Sequence, residues 1–329
     1  MKPVADREPQ KSIQVICPVY NEELNIRYFY DRYRAVRDGL GQDYRMELTF
    51  IDNASTDRTQ ELVKELRAGD RTVQLIAHAR NFGYQASVLS GLTNLEGDAY
   101  IVIDADCEDP PELIPEFVRK WCEGYDLVYG DRRWRSENTA VAAARRAFYR
   151  LTRKIADSEF IIDMAEFSLF SRRVRDQVLS HRSTFPFVRS DLAYSGFSRC
   201  AIEYRREPRR YGRSHYNLLH MAAFAISGLL STSTFPLRAI AYVGVPLFVL
   251  DGLVALLLLF GVTASLSVVL FVNLAFVCYA LVSISLYVAR ISKDVIGRPV
   301  FIVDHRRSEL NRLKRGTPQP PLPAPMDRS

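Results

Sequence analysis

The sequence predicts an α/β domain with a mostly parallel sheet, followed by a pair of membrane-spanning helices. Two observations predict this. In the first half of the 329-residue chain, short apolar runs alternate with segments of helical spacing, which is typical of βαβ units. In the last third, two long apolar stretches follow one another, each about long enough to cross a bilayer core of about 30 Å.

The first half is predicted to hold five strands and four helices in alternation. The strands are Ser12–Pro18, Met46–Ile51, Val73–Ala77, Ala99–Ile103 and Asp126–Tyr129, and the helices are Glu22–Leu40, Thr56–Ala68, Tyr84–Leu95 and Glu112–Trp121. Ser55 or Thr56 is the expected N-cap of the second helix, and Pro110–Pro111 opens the fourth. Ligands of such sheets bind beyond the carboxyl ends of the strands.

The apolar stretches are Ala239–Phe260 and Leu266–Ala289. A pair of buried helices in a soluble protein is disfavoured, because stretches this long are costly to hide in a domain of this size. The positive-inside rule places both ends of the hairpin in the cytoplasm, since the flanks carry Arg238, Arg290, Lys293, Arg298, Arg306 and Arg307. Asp251 lies inside the first span and is expected to face the other span or a partner subunit, or to be protonated.

These patterns divide the chain into four expected parts. Residues 1–216 form a cytoplasmic domain, 217–238 an interfacial amphipathic helix region, 239–289 two transmembrane helices, and 290–329 a cytoplasmic tail. Leu218–Leu230 is the interfacial segment, and the proline-rich end of the tail is expected to be disordered. The protein is expected in the inner (plasma) membrane as a multi-pass protein.

Composition argues against several kinds of site and segment. Hydrophobic residues make up 48% of the chain and charged residues 25%, which allows a large core. Five cysteines at irregular spacing, without a CxxC pair, argue against a disulfide framework or a zinc site. The polar segment 1–11 lacks the apolar stretch of a signal peptide. The net charge of +6 is a mild excess that suits a membrane surface or phosphorylated ligands.

Acidic clusters follow three of the predicted strands: one ends at Glu22, one begins at Asp52, and one runs from Asp104 to Asp109. Carboxylates that converge at one edge of a sheet predict a divalent cation, and oxygen ligands suit Mg²⁺ or Mn²⁺. Neither GxGxxG nor GxxxxGK[ST] occurs, which argues against a dinucleotide dehydrogenase and a P-loop NTPase.

Metal and arginine are therefore expected to hold a diphosphate. The arginines lie in two groups, around Arg132 and around Arg209. A surface that meets anionic lipid is the other interpretation of these groups, and both can hold. No nucleic-acid partner is expected, because two spans give DNA or RNA no obvious role.

The motifs CPVYNEELNI, IDNASTDRT, RNFGYQASVLSGL, DADCEDPPELI, YGDRRWRSE, RREPRRYGRSHYN and IGRPVFIV occur in this order between Ser12 and Val303. Together they resemble family 2 glycosyltransferases with the Rossmann-like GT-A fold. The resemblance is closest to the polyprenyl-phosphate branch, which includes dolichyl-phosphate mannose synthase and the undecaprenyl-phosphate glucosyltransferases.

The resemblance implies inverting transfer of a sugar from a nucleotide-sugar to polyprenyl (undecaprenyl) phosphate. The nucleotide is expected to be UDP rather than GDP. The product would be a lipid-linked sugar monophosphate for modification of cell-envelope glycans. The resemblance also allows a homo-oligomer, with the tetramer as the form that some relatives adopt.

Roles carry over where the motifs match. The resemblance implies that Asp106, Glu166 and Arg132 are catalytic, that Asp106 and Glu108 bind the metal, and that the nucleotide-sugar contacts Pro18, Tyr20, Glu22, Asp52, Asp104, Ala105, Asp106, Arg209 and His215. Two departures leave roles open. His215 stands where relatives usually carry lysine. The AEFSL string around Glu166 replaces GDFRL, which lengthens the acid and loses an arginine.

Three alternatives stay open. A processive polysaccharide synthase would carry a Q/RxxRW motif, but Gly130 stands at its first position and the spans are too few for a polymer channel. A non-catalytic membrane scaffold that binds nucleotide is a second alternative, left open by the changes at Glu166 and His215. The third is an acceptor with a lipid hydroxyl in place of phosphate.

Overall fold

The structure, a computed structural model, describes residues 10–134, 164–181, 183–184, 186–211, 233–260 and 266–311. The described residues form two compact units. The first comprises 10–134, 299–311 and the described part of 164–211, and the second comprises the described part of 233–298. Three sequence predictions lie outside the described residues: the interfacial segment, the proline-rich end of the tail and the site residue His215.

The first unit is built on a seven-stranded sheet. Its strands are β1 Lys11–Val19, β2 Tyr44–Asp52, β3 Val73–Ala77, β4 Ala99–Val102, β5 Leu127–Trp134, β6 Met164–Ser171 and β7 Arg199–Arg205. Their order across the sheet is β3-β2-β1-β4-β6-β5-β7. Neighbours are parallel except around β6, which runs antiparallel to both β4 and β5. The predicted mostly parallel α/β sheet is confirmed, and the reversal at β6 is an addition to it.

Helices cover both faces of this sheet. They are α1 Ile26–Leu40, α2 Thr59–Gly69, α3 Tyr84–Asn94, α4 Ile114–Cys122, α5 Arg172–Ser180 and α6 Val188–Tyr194. The central strand β1 divides its side chains between two hydrophobic clusters. Val15 and Cys17 belong to one cluster and Ile16 to the other. Alternate residues of a strand point to opposite faces, so the near-continuous apolar run of β1 is explained by burial on both sides.

Two predicted helix starts are wrong, and both lie next to the edge where the strands end. α1 begins at Ile26, because Glu22 stands in a turn in which its carbonyl accepts the Asn25 N–H at 2.8 Å. α2 begins at Thr59 and has no side-chain N-cap. The Ser55 hydroxyl accepts the backbone N–H of Asn21 at 3.0 Å instead of capping the helix.

Two other elements have bounds that differ from the predicted ones. β5 continues to Trp134, beyond the predicted end at Tyr129, because it pairs with a strand on each side. The fourth helix begins as a 3-10 turn, Pro111–Leu113, before α4.

The second unit contains α7 Phe235–Leu259 and α8 Leu266–Ile296. Both helices are long and apolar enough to cross a membrane, and their apolar windows are 0% and 6% buried within the protein. Asp251 accepts a hydrogen bond from Asn273 Nδ2 at 3.0 Å. The acid in the first helix is therefore paired with an amide of the second, as one of the sequence expectations for it allows.

Residues 301–311, which we call the C-terminal strap, belong to the first unit. Glu309 exchanges two backbone hydrogen bonds with Leu75 of β3, at 2.8 and 3.0 Å, in an antiparallel bridge. A second antiparallel bridge joins Val303 to His78. The strap lies within the expected tail, and this part of the tail covers the outer edge of the sheet.

Candidate active site

The first group of predicted site residues lies where β1, β2 and β4 end. These strands are parallel neighbours, so their carboxyl ends share one edge of the sheet. Asp52 is the last residue of β2, Asp104 and Asp106 follow β4, and Glu22 follows β1. Pro18, which is buried, pairs with Ile51 across β1 and β2, and Tyr20 is 39% exposed just beyond it. The sheet therefore brings the three acidic clusters together.

The loops after these three strands share an unusual backbone conformation. Asn21, Ala54 and Cys107 have φ angles of 55°, 62° and 55°, in the left-handed region that residues other than glycine rarely adopt. The first two loops also hold each other, because Asn21 Oδ1 accepts the Thr56 N–H at 2.8 Å. Strain of this kind persists where surrounding contacts over-determine the backbone, and it clusters at ligand sites.

The Asp52 carboxylate is fully buried and held from two sides. The Ser55 N–H lies 3.2 Å from both of its oxygens, and Gln60 Nε2 donates to Oδ2 at 2.5 Å. The acid, predicted to contact the nucleotide-sugar, is therefore fixed in position by its own loop and by the first turn of α2.

The paired aspartates after β4 differ in their surroundings. Asp104 accepts the Tyr84 hydroxyl at 2.8 Å. Burial, and then the negative charges of Asp106 and Asp109, raise the pKa of Asp104 to about 7. Asp106 accepts the Glu108 N–H at 3.1 Å, and Ala105 between the two acids is only 2% exposed. A cation bound at this pair would offset the repulsion between the two carboxylates.

Arg132 lies on β5 and pairs with Asp109, at 2.5 Å from Nη2 to Oδ2. Tyr204 of β7 completes the group, since its hydroxyl donates to Asp109 and accepts from Arg132 Nε at 3.1 Å. Asp109 is only 1% exposed. Gly130 makes room for the tyrosine, because a Cβ there would lie 2.5 Å from Tyr204 Cε1.

Glu166 reaches the same edge because β6 runs backwards. Val102 of β4 pairs with Ser168, so Glu166, two residues earlier on β6, lies level with Asp104, two residues after Val102. Gln85 Nε2 contacts its Oε1 at 3.4 Å. Burial raises the pKa of Glu166, against the opposing effects of nearby arginines.

Arg209 follows β7 and binds both oxygens of Glu22, at 2.6 and 2.9 Å. Glu108 is similarly engaged, in an ion pair with Arg206. Both arginines are thus paired with acids at the rim of the site. An arriving phosphate would compete with these carboxylates for the guanidinium groups.

The metal expectation can be tested against this donor set. Across the described ranges, no group of three or more His, Cys, Asp or Glu side chains is placed to hold a metal ion. Mg²⁺ at nucleotide sites commonly uses one or two carboxylates together with substrate phosphates. Asp104 and Asp106 fit that pattern, because they are two hard-oxygen donors at one strand end. Glu108 as a metal ligand stays a prediction.

Several residues of this edge were not predicted as site residues. Asp109 stood in the predicted acidic cluster without a role, and Tyr204 carried no sequence signal. Tyr84 and Gln85 occupy the first turn of α3 and contact Asp104 and Glu166. Their place directly after Gly83, at the start of a helix beside the acidic clusters, is the signal that could have found them.

Comparison with known proteins shows which family the sequence resembles. Residues 14–179 match the family model described as Glycosyl transferase family 2. The chain is 36% identical over 299 residues to the uncharacterized glycosyltransferase YkcC of Bacillus subtilis (strain 168), covering 88% of this chain and 92% of that protein. It is 33% identical over 233 residues to the bactoprenol glucosyl transferase of Shigella phage SfV, covering 70% and 75%.

Among solved structures, the similar ones include glucosyl-3-phosphoglycerate synthase from Mycobacterium tuberculosis in complex with UDP. The match has 20% identity and a TM-score of 0.44, and it covers 67% of this chain and 79% of that one. The family match spans half of the chain, and the B. subtilis relative aligns with most of it. On these grounds, the chain belongs to glycosyl transferase family 2.

Proposed function

We propose that this protein transfers a sugar from a nucleoside-diphosphate sugar to a polyprenyl phosphate. UDP is the proposed nucleotide, preferred over GDP, and the lipid is undecaprenyl phosphate. The observation that carries the proposal is the gathering of Asp52, Asp104 and Asp106 at one sheet edge with two arginines. Relatives named as bactoprenol glucosyl transferases support the choice of lipid.

The donor half of the site follows from the loops after β1, β2 and β4. Asp52, preorganised by Ser55 and Gln60, accepts hydrogen bonds from the nucleoside. Asp106 and Glu108, with Asp104 beside them, would hold Mg²⁺ or Mn²⁺, which when bound neutralises the diphosphate and stabilises the leaving nucleotide. Tyr84 orients Asp104 through its hydroxyl.

The acceptor half needs positive charge more than a strong base. A phosphate monoester has a second pKa near 6 and is largely ionised at pH 7, so its oxygen is already nucleophilic. The difficulty is bringing two anions together. Arg132, held by Asp109 and Tyr204, is the proposed ligand of the lipid phosphate and keeps the attacking oxygen in line. Arg209 is proposed to contact the nucleotide-sugar. A single displacement then inverts the anomeric carbon.

The two apolar helices suit the proposed acceptor. Anchored in the plasma membrane by α7 and α8 with both ends in the cytoplasm, the protein would meet the lipid phosphate at headgroup depth. The catalytic domain is proposed to work on the cytoplasmic side. Assembly as a tetramer is part of the proposal.

A transfer assay tests the proposal. Protein purified in detergent is given undecaprenyl phosphate, Mg²⁺ or Mn²⁺, and a panel of UDP- and GDP-sugars, and the lipid extract is analysed by mass spectrometry. We expect a lipid-linked sugar monophosphate with one UDP-sugar, lost on addition of EDTA. Asp106→Asn should abolish it, whereas Asp38→Asn, an exposed acid on α1, should not. Nucleotide release without any lipid product would contradict the proposed acceptor.

A further inference from the structure

The C-terminal strap runs along β3 and the two residues that follow it. Besides the paired backbone hydrogen bonds of Glu309, the Asp304 N–H donates to the Ala77 carbonyl at 2.7 Å. The Ala77 N–H in turn donates to Ser308 Oγ at 2.9 Å. Backbone pairing alone is enough to cover a sheet edge. The strap also makes side-chain contacts, because two of its side chains contact the residue that follows β3.

That residue is His78, whose side chain is completely buried. Phe301 of the strap stacks on its ring, with centroids 5.8 Å apart and planes 11° apart. Phe82 meets the ring edge-on at 5.7 Å and 86°. Arg307 of the strap donates to the His78 carbonyl at 2.7 Å. The histidine is therefore clamped between the strap and the loop that leads into α3.

The polar edge of His78 faces the site. Its Nδ1 lies 3.2 Å from Asn53 Oδ1, an oxygen that also accepts the Phe82 N–H at 2.8 Å. Because Asn53 Oδ1 is an acceptor, Nδ1 must carry the proton. Burial lowers the pKa of His78 to about 4, which keeps the ring neutral near pH 7.

Asn53 connects His78 to the loops that follow β2 and β3. It directly follows Asp52, and its Nδ2 donates to Asn81 Oδ1 at 2.9 Å. The same oxygen of Asn81 accepts the Gly83 N–H at 2.9 Å. Gly83 has a φ of 92° and immediately precedes the first turn of α3. That turn carries the two side chains that contact Asp104 and Glu166.

We propose that the C-terminal strap is a positioning element of the nucleotide site: Phe301 and Arg307 act through His78 to hold the amide network of Asn53 and Asn81. This inference rests on the proposed function, because it takes a nucleoside diphosphate as the ligand of this edge. The strap residues do not touch the ligand. They determine whether the loops that follow β2 and β3 are already in their binding conformation.

A strap that only covered the edge of β3 would act differently. Its loss would lower thermal stability and leave the affinity of the folded protein for nucleotide unchanged. A positioning strap weakens nucleotide binding at temperatures far below unfolding. It also leaves the Michaelis constant for the lipid acceptor unchanged, because the network joins the loops after β2 and β3, whereas the proposed acceptor ligand Arg132 lies on β5.

The experiment compares Phe301→Ala with Ile302→Ala. Ile302 is the next residue, it is 49% exposed, and its part in the network is a backbone carbonyl that accepts the Ala79 N–H. Binding of UDP and of GDP, each with MgCl₂, is measured on the full-length protein in detergent by calorimetry. Coupling between sites typically changes affinity between about 5-fold and 150-fold, and we expect a loss in that range for Phe301→Ala only.

Arg307→Ala with Arg306→Ala forms a second matched pair, since the exposed Arg306 enters the strap contacts only through its backbone N–H. Phe301→Tyr, which keeps the stacked ring, should bind nucleotide as tightly as the parent protein. Equal nucleotide affinity in Phe301→Ala and the parent, with both folded, would overturn the inference, as would equal losses in Phe301→Ala and Ile302→Ala.

Hydrogen exchange separates this inference from the proposed function. The Phe82 and Gly83 amides are bonded to the asparagine network, so Phe301→Ala should speed exchange of the peptide that covers 78–85, without any ligand present. If the parent protein bound neither nucleotide, the proposed function would fail. Unchanged exchange at 78–85 would overturn the strap inference alone.

Discussion

Replacing Asp109 with alanine would leave the Arg132 guanidinium without its carboxylate. The two side chains are 2% and 13% exposed, respectively. Removing one partner of a buried ion pair typically costs about 3–5 kcal/mol, because the other charge stays buried and uncompensated. The Tyr204 hydroxyl would lose its acceptor as well, so we expect the loss in the upper part of this range.

Melting temperature provides the assay. For a domain of about 150–250 residues, each kcal/mol shifts the melting temperature by about 2–4 °C, so a loss of about 4–5 kcal/mol in Asp109→Ala should lower it by about 8–20 °C. Tyr204→Phe removes hydrogen bonds to two charged groups but no charge. It should cost about 1.5–3 kcal/mol, a smaller shift in the same direction.

The control for Asp109→Ala is Glu65→Ala. Glu65 pairs with Arg27 on the surface, and the two side chains are 48% and 59% exposed. Exposed ion pairs contribute at most about 1 kcal/mol to the free energy of unfolding. Glu65→Ala should therefore shift the melting temperature by at most about 4 °C. If Asp109→Ala were no more destabilised than Glu65→Ala, the account of Arg132 as a buried, carboxylate-held cation would be wrong.

Three further predictions concern pH and packing. Burial raises the pKa of Glu166, so stability falls as pH rises above the unfolded value of about 4.3. Glu166→Gln should therefore melt higher than the parent at pH 7 and equally below about pH 4. Burial acts to raise the pKa of Asp70, but hydrogen bonds from arginine and threonine neighbours outweigh it and hold the pKa at about 2. The stability that Asp70→Asn removes at pH 7 should therefore disappear as the pH falls from about 3.9 towards about 2 in melting experiments. Gly130→Ala places a methyl 2.5 Å from Tyr204 Cε1 and should lower kcat/KM by up to about 100-fold, measured well below the melting temperature.

For each of these three predictions, one outcome would contradict the reasoning. A stabilisation by Glu166→Gln that grew as pH fell would reverse the sign of the linkage. A melting difference for Asp70→Asn that stayed constant down to pH 2 would show that its ionisation is not coupled to folding. For Gly130→Ala the control is Gly39→Ala, where an added Cβ meets nothing within 4 Å. Equal activity in both glycine variants would refute the packing argument.

The first five strands were predictable because burial on both faces leaves a mark in the sequence, whereas β6 and β7 were not among the predicted strands. β3 has the predicted bounds, Val73–Ala77, and all five of its residues are buried. A run of apolar residues between polar segments is a local signal, and it needs no knowledge of distant contacts. The positions of the acidic clusters could be predicted because each cluster directly follows one of these apolar runs in the sequence.

The starts of α1 and α2 could not be predicted, because residues that favour helix starts are used there for contacts between distant parts of the chain. Ser55 has the side chain of an N-cap, yet its hydroxyl accepts from Asn21, 34 positions earlier. Glu22 continues the helical spacing, yet its carboxylate binds Arg209, 187 positions later. A local pattern carries no information about such partners.

The same limit explains the residues that were missed. Asp109 differs from its acidic neighbours through Tyr204, which lies 95 positions away and fits only because residue 130 is glycine. The charge of Arg307 was counted with the membrane flank, whereas its side chain binds the His78 carbonyl in the strap. Both assignments depend on tertiary packing.

In the proposed reaction, sugar moves from a nucleotide onto a lipid phosphate at this sheet edge. The most direct measurement follows radiolabelled sugar from its UDP donor into the organic phase, with and without undecaprenyl phosphate. We expect label in the lipid phase only when the lipid phosphate and Mg²⁺ or Mn²⁺ are both present, and none with Asp106→Asn. Equal transfer by Asp106→Asn and the parent protein would contradict it.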